Sequence, residues 1–257
     1  MSGYLNVVMD DGVATIEIDA PPLNLLTLEL RSELCRAALE IGAHDKIRAV
    51  VLGSARAGVF SAGSDIREFP TDVGDGLVRA AHEQACFNAL AQMPQPVLAR
   101  LSGHVLGGGF ELALACDIRV ADSSARLALP EVGLGVFPTG GGTQRITRIL
   151  GASGAKLLMM LGEVVAADEA RAMGLVDIVV DPAVLVEETQ SLAHRIAERP
   201  RRAVQSIKAA VDHGCCADGF AAGLAKEVEL AVVFGSRDAR EGVGAFLESR
   251  APRFTHE

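Results

Sequence analysis

The sequence has neither a long apolar run nor an excess of basic residues. No window approaches the ~18 uninterrupted apolar residues of a membrane-spanning helix, so we expect no transmembrane segment. The formal net charge of -9 argues against a nucleic acid or an anionic membrane as partner. Acidic side chains appear early and no basic segment precedes an apolar one, so we predict no signal or transit peptide. The spacing of the five cysteines suits reduced thiols and predicts a cytoplasmic protein.

Several familiar site motifs are also missing. The five cysteines lack CxxC spacing, which favours reduced thiols over a metal or redox site. There is no GxxxxGK[ST] phosphate loop and no GxGxxG dinucleotide fingerprint. His82-Glu83 begins like a zinc-protease motif but lacks the second histidine, and Ser61 lacks the flanking glycines of a nucleophile elbow. We therefore predict no bound metal, no separate cofactor and no serine triad.

The composition that remains is that of a globular protein. Apolar residues make up 49% and charged residues 22% of 257 residues, enough for a substantial core. Residues 4–10 and 13–19 alternate around Asp11-Gly12, which predicts a β-hairpin. Thr27 is a suitable N-cap for an amphipathic helix that follows it. Further predicted elements are strands at 47–53, 97–102, 117–121 and 125–129 and a helix at 76–93. The order favours repeated strand, strand, helix units in an α/β spiral.

Helices dominate after residue 140. The pattern predicts helices at 142–150, 152–161 and 167–173, the last ended by Gly174, and then a strand at 175–180. Helices at 183–199, 201–213, 217–234 and 238–248 follow. Because residues 217–234 are apolar on more than one side, we expect an oligomer interface there.

Two glycine-rich loops and two glutamates indicate a catalytic centre. FSAGSDI (60–66) and GHVLGGGFE (103–111) each follow a predicted buried strand, and together they could place two backbone N–H groups around one oxygen, as an oxyanion hole does. Glu111 lies in an otherwise apolar helix, where a carboxylate is rare unless it is paired. Glu131 follows a proline at a strand end. Near one loop, the two carboxyls could share a water, and their repulsion would favour protonation of one.

Five segments resemble the crotonase (enoyl-CoA hydratase/isomerase) superfamily, in the same order along nearly the whole chain. They are PPLNLLT (21–27), FSAGSDIREF (60–69), GHVLGGGFELALACDIRVA (103–121), ARLALPEVGLGVFPTGGGTQRI (125–146) and SRDAREGVGAFLESRAPRF (236–254). The resemblance implies a crotonase-type spiral of ββα units with a C-terminal helical trimerisation region. We accordingly divide the chain into a catalytic core at 1–195 and an oligomerisation region at 196–257, and expect a trimer or a dimer of trimers.

The same resemblance implies a CoA-thioester substrate, with CoA as part of the substrate. The thioester oxygen would be held by the backbone N–H groups of Ser64 and Gly108, and Glu111 and Glu131 would hold and activate one water. That water adds to C3 of a 2-enoyl-CoA while Glu131 delivers a proton to C2. The residues implied to line the CoA portion are Leu23, Leu25, Ala62, Ser64, Asp65, Ile66, Arg67 and Gly108.

Two departures and several alternatives remain. Ser64 stands where an alanine is commoner in hydratases, and Phe110 occupies a variable place where we expect contact with the acyl chain. Enoyl-CoA isomerases and specialised acyl-CoA dehydratases use the same scaffold, and a non-catalytic acyl-CoA-binding or RNA-binding member is a further alternative. Retention of both glutamates favours hydration or dehydration over isomerisation.

Overall fold

The chain opens with a two-stranded antiparallel ribbon. The computed structural model describes residues 3–69, 72–215 and 236–256, except the side chains of 246 and 247. In it, β1 (Leu5–Asp10) pairs with β2 (Val13–Ile18). Asp11 and Gly12 connect them with φ of 39° and 80°, the left-handed values that a type I′ turn requires. The predicted hairpin is confirmed.

The large sheet grows from this hairpin in chain order. Its strand order is β1-β2-β3-β5-β7-β10, and every pair after the hairpin is parallel. The added strands are β3 (Ala49–Ser54), β5 (Val97–Leu101), β7 (Ile118–Asp122) and β10 (Ile178–Val180). Alternate residues of β3 face opposite sides, so Val50 and Leu52 enter the main core while Ala49 and Val51 pack in a second cluster.

A second, smaller sheet takes the strands that lie between these. Its order is β4-β6-β8-β9, formed by β4 (Val59–Ser61), β6 (His104–Leu106), β8 (Arg126–Ala128) and β9 (Val165–Ala166). From β3 to β8, strands that follow one another in the chain alternate between the two sheets. The segments predicted at 117–121 and 125–129 are both strands, but they are not partners, because β8 pairs with β6. The division of the strands between two sheets is how the predicted spiral of ββα units is built.

Five helices complete the repeating units and the connection to the last strand. They are α1 (Leu28–Gly42), α2 (Val73–Ala91), α3 (Gly108–Leu114), α4 (Gly142–Leu161) and α5 (Ala167–Ala172). The Thr27 hydroxyl accepts the Leu30 N–H at 3.2 Å and so caps α1, as predicted. Gly151 interrupts α4 with φ 70° and ψ 170°, at the point between the two helices predicted there.

Three further helices lie in the C-terminal residues that the structure describes. α6 (Leu185–Ala197) covers one face of the large sheet through Ala193 and Ala197, and α7 (Arg201–Gly214) and α8 (Arg237–Leu247) follow. The predicted boundary at 195/196 falls inside α6, and the division into two regions stays a prediction. The helix and the oligomer interface predicted at 217–234 lie outside the described residues. No helix within the described ranges is both long and apolar enough to span a membrane.

Candidate active site

The two predicted glycine loops meet because the strands before them are parallel neighbours. β4 pairs with β6, and the loops that leave their C-terminal ends therefore lie side by side. Gly63 has φ of 100°, and a Cβ placed on it would lie 2.8 Å from the Leu106 carbonyl oxygen. A side chain at residue 63 would thus push the loops apart, so glycine is required for this close approach.

Two backbone N–H groups in these loops have no acceptor among the residues that the structure describes. Gly107 is the N-cap of α3, and the first intrahelical bond runs from the Glu111 N–H to the Gly107 carbonyl at 3.0 Å. The Gly108 N–H therefore has no intrahelical partner, and neither it nor the Ser64 N–H donates to any group of the described residues. Both residues line one cavity of about 410 Å³. Free donors beside a cavity are suited to bind an anionic or carbonyl oxygen.

Glu111 enters this cavity from the first turn of α3. It is only 2% exposed, and its Oε1 accepts the Gly142 N–H at 2.7 Å. Burial raises the pKa of this carboxyl to about 8, with a contribution from the negative charge of Glu83, and the Gly142 N–H opposes the rise. A Cβ on Gly142 would lie 2.8 Å from Oε1, so the loop around residue 142 can hold the carboxyl only if that residue is glycine.

Glu131 lines the same cavity from the 3₁₀ turn Glu131–Leu134 that follows β8. Its Oε1 lies over the glycine loop, since a Cβ on Gly107 would be 3.1 Å away. Its Oε2 is buried and has no hydrogen-bond partner in the described part of the chain. Burial raises the pKa of Glu131 to about 7, and Glu83 adds to the rise. A buried carboxyl oxygen without a protein partner is suited to bind water or substrate.

A third glutamate, Glu83 of α2, also reaches the cavity and was not predicted as a site residue. It is 2% exposed and accepts the hydroxyls of Ser64 at 2.8 Å and Thr139 at 3.0 Å, while the Arg31 guanidinium lies 3.2 Å away. The sequence holds one signal that could have found it. Residues 83, 86, 87 and 90 form the buried face of α2, so a carboxylate occupies an otherwise apolar helical stripe.

The rest of the cavity wall is mainly apolar. Its apolar members include Ala62, Ile66, Phe69, Ala80, Leu134, Val136 and Phe137. Arg79 also lines it, with its guanidinium carbon 4.7 Å from the centre of the Phe69 ring. Of the residues that the structure describes, no three His, Cys, Asp or Glu side chains converge closely enough to hold a metal ion. The site thus combines an apolar wall, three carboxyls and two free N–H groups.

The chain resembles known proteins over nearly its whole length. The sequence model of the family described as Enoyl-CoA hydratase/isomerase matches residues 9–257. The chain belongs to the enoyl-CoA hydratase/isomerase family. The family expected from the five sequence segments is therefore confirmed.

Several members of the enoyl-CoA hydratase/isomerase family resemble the chain over nearly their whole length. A protein of Syntrophomonas wolfei named crotonyl-CoA hydratase is 34% identical over 98% of both chains. The short-chain-enoyl-CoA hydratase of Clostridium acetobutylicum is 35% identical over 95% of each. A crystal structure of an enoyl-CoA hydratase from Geobacillus kaustophilus, 34% identical, superimposes with a TM-score of 0.95 and covers 100% of this chain and 98% of that one. The fold expected for the family is confirmed.

The residues that the family resemblance assigns to the CoA portion divide into two groups. Ala62, Ser64, Ile66 and Gly108 line the cavity, whereas Leu23, Leu25, Asp65 and Arg67 do not. The Leu23 carbonyl accepts the Ala62 N–H at 3.0 Å, so the segment that contains both leucines packs directly against the loop at 60–66. Asp65 binds the Arg67 guanidinium, which holds the pKa of that carboxyl down at about 2. These four residues lie in or next to the loop at 60–66 without lining the cavity, and their contact with CoA stays a prediction.

The expectation for Phe110 is wrong. Its side chain is completely buried in the main hydrophobic core and is not part of the cavity wall. Phe110 packs with the other apolar side chains of the core and so is not available to an acyl chain in the cavity. The apolar groups that do line the cavity come from other segments, chiefly residues 134–137 and α2.

Proposed function

We propose that the protein is an enzyme that hydrates 2-enoyl-CoA thioesters to 3-hydroxyacyl-CoA, a lyase reaction. The observation that carries this proposal is the position of Glu111 and Glu131 on one cavity wall with the two unpartnered N–H groups of Ser64 and Gly108. Membership of the enoyl-CoA hydratase/isomerase family supports the choice of an acyl-CoA as substrate. Relatives named for crotonyl-CoA and short-chain enoyl-CoA support a short acyl chain.

In the proposed reaction, the Ser64 and Gly108 N–H groups donate to the thioester oxygen. Electron density moves onto that oxygen as water adds to C3, and donors already in place stabilise the enolate-like transition state without reorganising. Removal of one such donor typically costs about 10² to 10³ in rate. The CoA portion is proposed to lie against two sets of residues. On the cavity wall these are Ala62, Ser64, Ile66 and Gly108, and beside it they are Leu23, Leu25, Asp65 and Arg67.

The two glutamates take different protonation states in this proposal. Burial raises the pKa of Glu111 to about 8 and that of Glu131 to about 7, so near neutral pH the pair favours a protonated Glu111 and an ionised Glu131. Glu111 holds the water by a hydrogen bond. Glu131 takes one proton from the water as the oxygen bonds to C3, and passes the same proton to C2. The elements of water are thereby added to the double bond, and both carboxyls return to their starting states.

Crotonyl-CoA and longer 2-enoyl-CoAs test the proposal directly. We expect loss of the absorbance of the conjugated thioester when purified protein is added, and formation of 3-hydroxyacyl-CoA. Glu111→Gln and Glu131→Gln should each lower kcat by roughly 10²- to 10⁴-fold, the range for a lost acid or base, while the fold is retained. A folded protein that turns over no enoyl-CoA of any length would contradict the proposal.

An enoyl-CoA isomerase is the second candidate, because the matching family covers both activities. Two carboxyls on one cavity favour hydration, since isomerisation only moves a proton and does not require a held water. Turnover in deuterated water separates the two reactions. Hydration places deuterium at C2 and creates a 3-hydroxyl, whereas a shift of a double bond from the 3-position to the 2-position incorporates deuterium at C4 and creates no hydroxyl.

A further inference from the structure

A buried ion pair lies directly beneath the proposed active site. Arg31 of α1 and Glu83 of α2 are 1% and 2% exposed, and their closest atoms are 3.2 Å apart. Glu68 lies 3.7 Å from the same guanidinium. Removing two charges from water costs free energy that their attraction often fails to recover, and apolar side chains of similar size would stabilise a fold about as well. The pair therefore calls for an explanation other than stability.

The Glu83 carboxylate binds both parts of the site that the reaction needs. Its Oε1 accepts the Ser64 hydroxyl at 2.8 Å, and Ser64 supplies one of the two unpartnered N–H groups. Its Oε2 accepts the Thr139 hydroxyl at 3.0 Å. Thr139 leads into the glycine loop whose Gly142 N–H holds Glu111. The neighbouring Gln84 also donates to the Thr139 carbonyl at 2.8 Å, so α2 holds this loop at two points.

We propose that Glu83 is a positioning residue for the hydration reaction, which holds the Ser64 N–H and the Glu111 carboxyl in register through its hydrogen bonds to Ser64 and Thr139. The inference rests on the proposed hydratase function. The Arg31 guanidinium, 3.2 Å from Glu83 Oε1, holds the Glu83 carboxylate where it can accept both hydroxyls. One carboxylate thus couples the oxyanion donors to the acid–base groups, which otherwise lie on separate loops.

The hydrogen bonds of Glu83 distinguish this role from that of a third catalytic base. Both of its oxygens already accept hydrogen bonds from protein groups, whereas Glu131 Oε2 has no partner among the described residues. Glu83 also lies close to the donor loop, since a Cβ on Gly108 would be 3.3 Å from its Oε1. An unpaired anion there would repel the developing negative charge of the thioester oxygen. Pairing with Arg31 offsets that charge.

Three variants test the proposal. Glu83→Gln removes the charge but keeps the shape, and we expect kcat to fall about 10²-fold with KM changed less than about 3-fold, because a misplacement near 1 Å has a cost of this size. In the double variant Arg31→Met with Glu83→Gln, no unpaired charge remains at the two buried positions. We therefore expect the melting temperature to recover from its fall in Glu83→Gln, while kcat stays low. Thr139→Val leaves the ion pair intact and should lower kcat about 10-fold, since one of two supports is lost.

Matched controls separate positioning from general damage. Glu17→Gln breaks another partly buried pair, that of Glu17 with Arg100 at 2.5 Å, away from the cavity. Thr147→Val removes a threonine hydroxyl bond on the exposed side of α4. Both controls should keep wild-type kcat. Wild-type kcat in a folded Glu83→Gln would overturn the proposal, and so would full recovery of kcat in the double variant. If Glu83→Gln does not fold, wild-type kcat in Thr139→Val would overturn it.

Binding of acetoacetyl-CoA gives a second readout that needs no turnover. This β-keto thioester cannot be hydrated, and its enolate, which absorbs in the near ultraviolet, carries a negative thioester oxygen like that of the transition state. We expect the wild type to increase the enolate absorbance and Glu83→Gln to lose at least about 10-fold of that effect. If the wild type increases the enolate absorbance more than Glu83→Gln does but hydrates no enoyl-CoA, only the hydratase function is disproved. Equal enolate absorbance in both proteins disproves the positioning role, and no binding at all disproves both.

Discussion

At the scale of single residues, burial governs the chemistry of the site. The pKa of Glu131 is raised to about 7 and that of Glu111 to about 8, and the proposed reaction needs the first ionised and the second protonated. We therefore expect kcat/KM to be bell-shaped, falling below about pH 7 as Glu131 gains a proton and above about pH 8 as Glu111 loses one. The measurement is the initial rate at low crotonyl-CoA across this range. A profile that is flat from about pH 6 to about pH 9 would contradict the assignment.

Glu111 also makes stability depend on pH. Its folded-state pKa of about 8 lies above the value of 4.5 for a free side chain, so between these values the folded chain binds more protons than the unfolded one. Stability should thus fall as pH rises through this window. Glu111→Gln keeps the acceptor for the Gly142 N–H and removes the titration. The melting temperature of Glu111→Gln should therefore rise relative to that of the wild type as pH rises, by about 2–4 °C for each kcal/mol of unfolding free energy that the wild type loses.

The control for this comparison is Glu40→Gln, on the exposed C-terminal part of α1. Its melting temperature should follow the wild type across the same pH range. If Glu111→Gln also follows the wild type, the Glu111 carboxyl does not titrate in the folded protein where its burial predicts.

The sequence predicted four site residues because each stands in a short contiguous motif. Ser64, Gly108, Glu111 and Glu131 are assigned by glycine spacing, helix position and the family resemblance, and the structure brings all four to one cavity. Glu83 was missed since nothing next to it in the chain indicates its partners. Its contacts with Arg31, Ser64 and Thr139 span 52, 19 and 56 residues, and only folding brings them together.

At the scale of elements, the close approach of the two loops depends on one glycine. A Cβ on Gly63 would lie 2.8 Å from the Leu106 carbonyl, whereas Gly58, with φ of 73°, has open space around its Cβ position. Gly63→Ala should therefore move the Ser64 loop from Gly108 and lower kcat by roughly 10²-fold or more. Gly58→Ala is the matched control, since it carries only the left-handed backbone cost of about 1–2 kcal/mol. Equal kcat in both variants would contradict the requirement for close loops.

The capped start of α1 offers a stability test on the element that carries Arg31. Thr27→Ala removes the hydroxyl that accepts the Leu30 N–H, and we expect a loss of about 0.5–2 kcal/mol in the free energy of unfolding in urea. Ser32→Ala, one turn later on the exposed surface of the same helix, should cost less than about 0.5 kcal/mol. A loss no larger for Thr27 than for Ser32 would show that the cap contributes nothing.

Elements of the large sheet and the helices were predicted, whereas most of the small sheet was not. In the large sheet, β1 and β2 flank a hairpin turn signal and β3 and β5 are mainly apolar, and α1 has regular helical spacing. β4, β6 and β9 have only two or three residues and are flanked by glycines or turns, so no periodicity can develop. Their pairing comes from the parallel arrangement of the units, which a local pattern does not contain.

For the whole molecule, the family resemblance and the apolar segment at 217–234 predict a homotrimer or a dimer of trimers. We expect light scattering after gel filtration to give three or six chain masses. Leu224→Glu, in the predicted apolar segment, should dissociate the assembly because a buried charge is costly at an interface. Exposed Leu39→Glu on α1 is the control and should leave the mass unchanged. A monomer in the wild type would disprove the predicted oligomer.

The order of strands also bears on how the protein is made. In both sheets each new strand joins the one before it, giving β2-β3-β5-β7-β10 and β4-β6-β8-β9, so both sheets grow at one edge in the direction of translation. A chain leaving the ribosome at ~5–20 residues per second can add each unit to an edge already formed. The active site, however, is complete only after residue 142 has emerged. Folding during translation therefore starts well before any catalytic function is possible.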